Sequence, residues 1–155
     1  MRLEDEINQK KFQSESHKLA VNIIYTYNWL NAHQSGFLKS FGITPQQFNV
    51  LRILRGLQGQ PASVKVIRER MLDKMSDASR IVEKLRLKGL IKRTTCSSDR
   101  RACDVFITDK GLLLLSKIDT ENEVMNRMFH HLTDAEKQQM NSLLDSLRGS
   151  ASSIK

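Results

Sequence analysis

Cysteine, proline and long apolar stretches are scarce in this 155-residue chain. Two cysteines are too few for the disulfide framework of a small secreted domain. The longest unbroken apolar stretch, residues 112–115, has four residues, whereas a helix needs about 20 to cross a bilayer. The N-terminus begins with charged residues such as Arg2, Glu4 and Asp5 and contains no apolar signal core. We therefore expect a cytoplasmic protein with reduced thiols and no membrane partner.

Positive charge is abundant and unevenly placed. The formal net charge is +8 and the sequence pI is about 9.7. Residues 61–110 hold a surplus of six basic side chains, residues 1–60 a surplus of three, and residues 111–155 a surplus of one acidic side chain. A basic surplus in the middle third favours a polyanionic partner such as DNA. A solvated basic face is the alternative that charge alone leaves open.

Helical periodicity dominates the first third. Apolar residues at helical spacing predict one long helix over residues 5–35, frayed at its polar start and broken by Gly36 and residues 41–43. Thr44 and Pro45 predict the start of a second helix, because Thr caps well and Pro fits the first helical position. The apolar stripe of that helix is Phe48, Leu51, Leu54 and Leu57, and the helix is expected to end in residues 56–61.

Two short helices separated by a tight turn around Asp73 follow. Ser63 predicts the cap of the first, which runs to residue 71. The second is predicted over residues 76–88, and Gly89 supplies the left-handed stop expected just past a helix end. This arrangement is typical of a helix-turn-helix.

The pattern then becomes extended. Residues 90–95 and 102–107 predict two strands joined by a polar turn, and a hairpin directly after a helix-turn-helix is a wing. Thr108 predicts the cap of a long helix that reaches about His130. Thr133 and Glu136 form a capping-box pattern for a last helix that stops at Gly149.

These elements predict a mainly α fold with a small β-hairpin wing, in which long terminal helices flank a winged helix-turn-helix lobe. We expect an N-terminal dimerisation helix over residues 1–36, a DNA-binding lobe over residues 37–110, C-terminal dimerisation helices over residues 111–149, and a disordered tail over residues 150–155. The terminal helices carry more apolar surface than one small lobe can cover, which a homodimer would bury. The alternative is that both ends pack on their own monomer.

The polar side of the predicted helix 76–88 is the candidate surface for the major groove. Arginine can contact guanine through two hydrogen bonds, serine and aspartate offer single contacts, and a helix N-terminus favours phosphate. We predict base contacts for Ser76, Ser79 and Arg80, with Asp77 on the flank, and a backbone contact for Lys84. An ordinary exposed polar face is the alternative.

The wing supplies a second cationic group. Lys92 and Arg93 lie on its first strand, and Arg100 and Arg101 lie at its tip. A hairpin can present an arginine to the narrow minor groove, where the negative potential is strongest. Asp99 could hold one neighbouring guanidinium by a pair of hydrogen bonds and leave the other free.

Several of these segments together resemble a known family. The strings ITPQQFNVLRIL and MSDASRIVEKLRLKGLIKR, followed by Asp99-Arg100-Arg101 and ITDKG, resemble the MarR family of bacterial winged-helix regulators. The wing is the sharpest match, because Asp99, Arg101, Thr108 and Gly111 stand at the family's spacing. The resemblance implies that Arg101 enters the minor groove and that Asp99 supports it. It leaves Arg100 as a phosphate contact or a second charge at the tip.

The resemblance spans about residues 41–115, and the terminal helices fit the family's dimerisation arms more loosely. It implies a triangular dimer that places two recognition helices in successive major grooves of a pseudopalindrome, usually as a repressor, with DNA binding altered by a ligand. We therefore predict a sequence-specific transcriptional regulator that acts on double-stranded DNA as a homodimer. A non-specific architectural DNA-binding protein is the alternative, and a winged helix that binds only protein is the third hypothesis.

The resemblance also suggests two groups of residues that could regulate DNA binding. Tyr25, Trp29 and His33 resemble residues lining the pocket in which family members bind small aromatic compounds, with core packing as the alternative for each. Cys96 and Cys103 flank the wing turn, so a redox switch is a hypothesis. Against it, direct cross-strand disulfides are strained, and the family's usual N-terminal peroxide-sensing position holds no cysteine here.

Catalytic and metal-binding patterns are missing. An enzyme would need a nucleophile with a base, paired carboxylates in a pocket, or a glycine loop for phosphate. The seven glycines fall at predicted helix ends and turns without such spacing. His130 and His131 are adjacent, and neighbouring positions on a helix point about 100° apart. We therefore predict no enzyme activity, no cofactor and no metal site.

Overall fold

The computed structural model describes residues 2–95, 103–121 and 127–151. It has two compact units, residues 1–117 and residues 118–155, which are treated separately below. The described elements are α1 Leu3–Glu6, α2 Glu15–Lys39, α3 Pro45–Gly56, α4 Val64–Arg70, α5 Ala78–Leu87, β1 Ile91–Thr95, β2 Cys103–Ile107, α6 Asp109–Glu121 and α7 Asp134–Ala151. The fold is mainly helical with one two-stranded antiparallel hairpin, which confirms the predicted class.

The N-terminal segment contradicts the prediction of one helix over residues 5–35. Asn8 has a φ of 52°, in the left-handed region, and so interrupts the helical path. α2 begins only after Ser14, whose hydroxyl accepts a hydrogen bond from the His17 amide at 3.1 Å. The prediction failed because the apolar spacing of Ile7 and Phe12 runs across the break.

Gly36 also behaves differently from the prediction. It lies inside α2, which continues to Lys39. A single glycine within a helix costs about 1 kcal/mol relative to alanine and does not by itself end the helix. The chain turns at Gly42, within the predicted break at residues 41–43, and its φ of 69° suits glycine.

The start of α3 confirms the predicted signal. The Thr44 hydroxyl accepts from the Gln47 amide and the Gln47 side chain accepts from the Thr44 amide, both at 3.2 Å, with Pro45 in the first turn. Leu51 and Leu54 of the predicted stripe are buried, as is Val50, whereas Phe48 and Leu57 are only half-buried. The core of the lobe gathers apolar side chains of α3, α4, α5 and the hairpin, namely Val50, Leu51, Leu54, Ile67, Met71, Val82, Leu85 and Val105.

The hairpin is antiparallel, with Ile91 opposite Ile107 and Thr95 opposite Cys103. Ala62 adds a third short segment, because its amide and carbonyl both bond to Val105, at 3.1 and 3.0 Å. The register makes Thr95, and not Cys96, the direct partner of Cys103, and Cys96 itself lies outside the described residues. The hypothesis of a redox pair therefore gains no support from the register.

Gly111 explains how α6 starts so close to the hairpin. A Cβ at this position would overlap the Leu90 carbonyl oxygen and lie 2.8 Å from the Ile107 side chain. The Thr108 hydroxyl donates to the Gly89 carbonyl at 2.8 Å and accepts from the Gly111 amide at 3.2 Å. Threonine and glycine at this spacing thus fasten the base of the wing to the first turn of α6.

Of the helix predicted to reach about His130, residues 109–121 and residue 127 are helical, and residues 128–131 form a turn. Residues 122–126 lie outside the described part.

The second unit contains α7. Its capping box is as predicted, because the Thr133 amide donates to the Glu136 carboxylate at 2.7 Å and the Glu136 amide donates to the Thr133 hydroxyl at 3.3 Å. α7 continues through Gly149 to Ala151, so the predicted stop at Gly149 is wrong, as is the placement of residues 150 and 151 in a disordered tail. Residues 152–155 lie outside the described part.

Candidate nucleic-acid interface

α5 has one buried face and one exposed face, as a recognition helix requires. Ala78, Val82 and Leu85 are buried against the lobe. Ser79, Arg80 and Lys84 are exposed, in agreement with the predicted polar side. The structure thus brings three of the predicted DNA contacts onto one accessible surface.

The N-terminus of α5 differs in detail from the prediction. The helix begins at Ala78, and Asp77 is its N-cap, whose carboxylate accepts from the Arg80 amide at 3.0 Å. Ser76 precedes the helix, and its hydroxyl donates to the Asp73 carboxylate at 2.6 Å. The predicted start at Ser76 is therefore two residues too early. Both side chains already have a local structural role, and their predicted DNA contacts would have to be made alongside it.

The turn before α5 is stabilised by Asp73. Its carboxylate accepts from the Ser76 hydroxyl and, at 2.9 Å, from the Met75 amide. These hydrogen bonds favour the charged carboxylate and lower its pKa below the ordinary value, the Ser76 hydroxyl contributing most. Asp73 thus stabilises the second half of the turn that leads into α5.

Two arginines of α5 have different surroundings. Arg86 makes a forked pair of hydrogen bonds to the Glu83 carboxylate, at 2.8 and 3.0 Å, and this pair lowers the pKa of Glu83. Within the described part of the chain, the Arg80 guanidinium has no ion-pair partner. Arg80 is therefore the arginine of this helix that remains available for a base or a phosphate.

Sequence reasoning missed two cations on α4. Lys65 and Arg68 are exposed, and with Ser76 and Ser79 they line a groove of about 320 Å³ between α4 and the start of α5. The first helix of a helix-turn-helix crosses the DNA backbone, where such cations suit phosphates. The signal was present, because both lie in the first turns after the Ser63 cap at a spacing of three residues.

The described strands of the wing keep their cations exposed. The Lys92 ammonium lies 5.3 Å from the centre of the Phe106 ring, and Arg93, opposite Val105, is exposed. The predicted tip residues Asp99, Arg100 and Arg101 lie outside the described residues. Their roles in the minor groove stay predictions.

A cleft of about 340 Å³ lies between α2, the start of α3 and the turn before α5. Its lining includes Tyr27, Asn31, Phe48, Asn49, Met71, Leu72 and Asp73. Its lining is mostly apolar with a few polar side chains, a composition typical of small-molecule sites.

The predicted ligand residues do not line this cleft. The Tyr25 hydroxyl donates to the Glu6 carboxylate at 2.6 Å, and that contact raises the pKa of Tyr25. The Trp29 and His33 rings lie 4.6 Å apart, and His33 Nδ1 is 2.8 Å from the Trp29 carbonyl oxygen. These side chains pack along α2 and onto the N-terminal segment, while Tyr27 and Asn31 of the same helix face the cleft.

Among the described histidine, cysteine, aspartate and glutamate residues, no three are grouped so as to hold a metal ion. His130 and His131 place their rings edge to face at 5.6 Å. None of the helices described above is both long and apolar enough to span a membrane.

Comparison with known proteins shows similarity to one family. The family model described as the MarR family matches residues 41–102, which hold the helix-turn-helix and most of the wing. The HTH-type transcriptional regulator MhqR of Bacillus subtilis (strain 168) is 28% identical over 131 residues, 84% of this chain and 89% of MhqR. The HTH-type transcriptional repressor MdtR of the same organism is 35% identical over 101 residues, 63% of each chain.

A solved structure shows the same fold over most of the chain. The organohalide-sensing regulator RdhR-CbdbA1625, in its 2,4-dichlorophenol-bound form, matches with a TM-score of 0.80 at 22% identity. The match covers 92% of this chain and 86% of that one. The fold and the sequence matches agree, and the chain is similar to the MarR family of DNA-binding transcriptional regulators over its helix-turn-helix and wing.

Proposed function

We propose that the protein is a homodimeric repressor that reads a pseudopalindromic DNA site and leaves it when a small aromatic molecule binds. The observation that carries the proposal is the exposed face of α5, where Ser79, Arg80 and Lys84 project from a helix whose other face is buried. A helix held in this way can enter a major groove with its N-terminal residues against base edges.

Different residues are proposed to contact the DNA bases and the phosphates. Arg80, without an ion-pair partner among the described residues, can form two hydrogen bonds with a guanine. Lys84 and the α4 residues Lys65 and Arg68 are suited to phosphates, which position the protein without selecting a sequence. Arg101 of the wing is proposed for the adjacent minor groove.

Exposed apolar side chains support a homodimer. On α7 of the second unit, Met140, Leu143, Leu144 and Leu147 form one stripe at helical spacing, and Leu143 is 62% exposed. On α2 of the first unit, the apolar residues include Ile24 and Tyr27, 61% and 62% exposed. Apolar helix faces of this kind are stabilised by burial against a partner. A two-fold dimer presents two copies of α5 to a site with matching symmetry.

Repression and ligand release are supported by the relatives. MdtR is named a transcriptional repressor, and RdhR-CbdbA1625 binds 2,4-dichlorophenol. The cleft of about 340 Å³ can accept a ring against Phe48 and Met71. Asn31 and Asn49 of the lining can donate hydrogen bonds to a hydroxyl group on that ring or accept them from it.

A selection experiment tests the proposal. The wild-type protein is used to enrich duplexes from a random-sequence pool, and the enriched duplex is then titrated beside a shuffled duplex of equal length. We expect an enriched sequence with inverted symmetry and a complex of two chains per duplex by sedimentation. Recovery of no preferred sequence would contradict the proposal and support architectural binding. Release of the enriched duplex by 2,4-dichlorophenol or a related phenol, without release by cyclohexanol, tests the ligand.

A further inference from the structure

The turn between α4 and α5, residues 72–76, is tied to α3 by a single side chain. The Leu72 amide donates to Asn49 Oδ1 at 2.9 Å, across 23 positions of sequence. Among the described residues, the other hydrogen bonds of this turn stay within it, such as those that Asp73 accepts from Met75 and Ser76, or go to α4. Asn49 is thus the polar link between this turn and a different part of the core.

Apolar packing does little to hold the same turn. Met71 just before it is buried, but Leu72 is 87% exposed and Met75 is 93% exposed. An exposed turn with few packed side chains has several accessible conformations unless a specific hydrogen bond selects one. The bond from Leu72 to Asn49 is suited to that selection.

The position of this turn matters because it determines where α5 begins. The residues proposed to touch bases, Ser79 and Arg80, lie one turn beyond it. A displacement of about 1 Å at the start of a helix moves its first side chains by a similar distance, which is enough to break a hydrogen bond to a base edge.

We propose that Asn49 is a positioning residue for DNA reading: by holding Leu72 it fixes the entry of α5 into the major groove. Asn49 and Leu72 also line the cleft, so a molecule bound there lies against the bond that sets this position. The inference rests on the proposed sequence-specific binding. It adds a residue that touches no DNA and yet controls sequence discrimination.

Two substitutions that keep the branching at Cγ separate this role from packing. Asn49→Leu removes the acceptor, and Asn49→Asp keeps it. Asn31→Leu is the matched control, because Asn31 also lines the cleft but makes no hydrogen bond to the turn. Each protein is titrated into the duplex that the wild type enriches and into a shuffled duplex. The readout is the discrimination ratio, which is the dissociation constant for the shuffled duplex divided by that for the enriched duplex.

We expect Asn49→Leu to lower this ratio by about tenfold, because the loss of one structural hydrogen bond is of that order. Its affinity for shuffled DNA should change by less than about twofold, since that binding depends on cations the substitution leaves in place. The charge of Asn49→Asp weakens binding to both duplexes alike, so its ratio should stay within about threefold of wild type. Asn31→Leu should keep the ratio.

An unchanged ratio in a folded Asn49→Leu protein would overturn the inference. An equal fall of the ratio in Asn49→Leu and Asn49→Asp would overturn it as well. If Asn49→Leu does not fold, amide exchange in the wild type decides. The Leu72 amide should exchange at least about tenfold more slowly than in an unstructured peptide, and unprotected exchange would show that the bond does not hold the turn. Failure of the wild type to enrich any duplex would instead contradict the proposed function.

Discussion

The Arg80 amide donates a hydrogen bond to the Asp77 carboxylate at 3.0 Å, across the first turn of α5. The N-cap of the recognition helix and its proposed base-reading arginine are therefore joined through the backbone of Arg80, and the guanidinium takes no part. This arrangement stabilises the start of the helix and leaves the cationic end of Arg80 available. Asp77 therefore caps the helix and Arg80 is available for DNA, whereas both were predicted from the sequence as DNA contacts.

The first prediction concerns Asp77 as a cap. Asp77→Ala should lower the free energy of unfolding by about 1 kcal/mol, and Asp77→Asn should restore most of it because asparagine caps equally well. Urea unfolding followed by circular dichroism measures both. An alanine variant as stable as the wild type would show that the carboxylate does not hold the helix start.

The second prediction concerns Arg80. Arg80→Ala should weaken binding to the enriched duplex by about 1–3 kcal/mol and relax base preference at one position in each half-site. Arg86→Ala is the matched control, because Arg86 lies on the same helix but is paired with Glu83. Fluorescence anisotropy with single-base variants of the duplex measures the preference. A uniform loss across all sequences would assign Arg80 to phosphate alone.

The sequence was informative wherever the deciding signal was local. Thr44 and Pro45 are adjacent, and together they placed the start of α3 correctly; Gln47 completes the capping box in the structure. Thr133 and Glu136 did the same for α7. Capping motifs are readable because donor and acceptor are neighbours in the chain.

Features that depend on backbone conformation or on distant contacts could not be predicted from the sequence. The left-handed Asn8 split the N-terminal helix although the apolar spacing continued across it. Gly36 did not end α2, because a helix can tolerate one glycine when its neighbours favour helix. The link between Asn49 and Leu72 spans 23 positions, so no local pattern reports it.

The third prediction concerns the wing. Arg101→Ala should weaken binding to the enriched duplex by about 1–3 kcal/mol and leave the fold and the dimer intact, because the side chain is proposed to contact only the minor groove. Lys10→Ala removes the same charge from an exposed position in the N-terminal segment and serves as the control. Equal effects of the two substitutions in an anisotropy titration would remove Arg101 from the interface.

The fourth prediction concerns the apolar stripe of α7. Leu143→Glu places a charge within the stripe and should shift the protein from dimer to monomer, because burial of an unpaired carboxylate is unfavourable. Gln138→Glu adds the same charge on the opposite side of the helix and should leave the dimer unchanged. Sedimentation velocity distinguishes the species. A Leu143→Glu dimer with wild-type stability would place the interface elsewhere.

The fifth prediction is a pH dependence of the α7 cap. The Thr133 amide and then its hydroxyl stabilise the ionised Glu136 and lower its pKa below the ordinary value of 4.5. A carboxylate whose pKa is lower in the folded than in the unfolded state stabilises the fold fully when the pH is above its pKa in the unfolded chain. This stabilisation is lost as the pH falls through the lowered pKa of the folded state. Glu136→Gln has no such group, so the gap in melting temperature between it and the wild type should shrink below about pH 4.5. A gap that stays constant from pH 7 to pH 3 would contradict the assignment.

The most direct test of the central claim is a titration of the wild-type protein at about 50 and 200 mM salt. The two partners are the duplex enriched by selection and a shuffled duplex of equal length. We predict that the enriched duplex binds about 1,000-fold more tightly, and that added salt weakens both complexes through the phosphate contacts. Equal affinity for the two duplexes at both salt concentrations would contradict sequence-specific regulation by this protein.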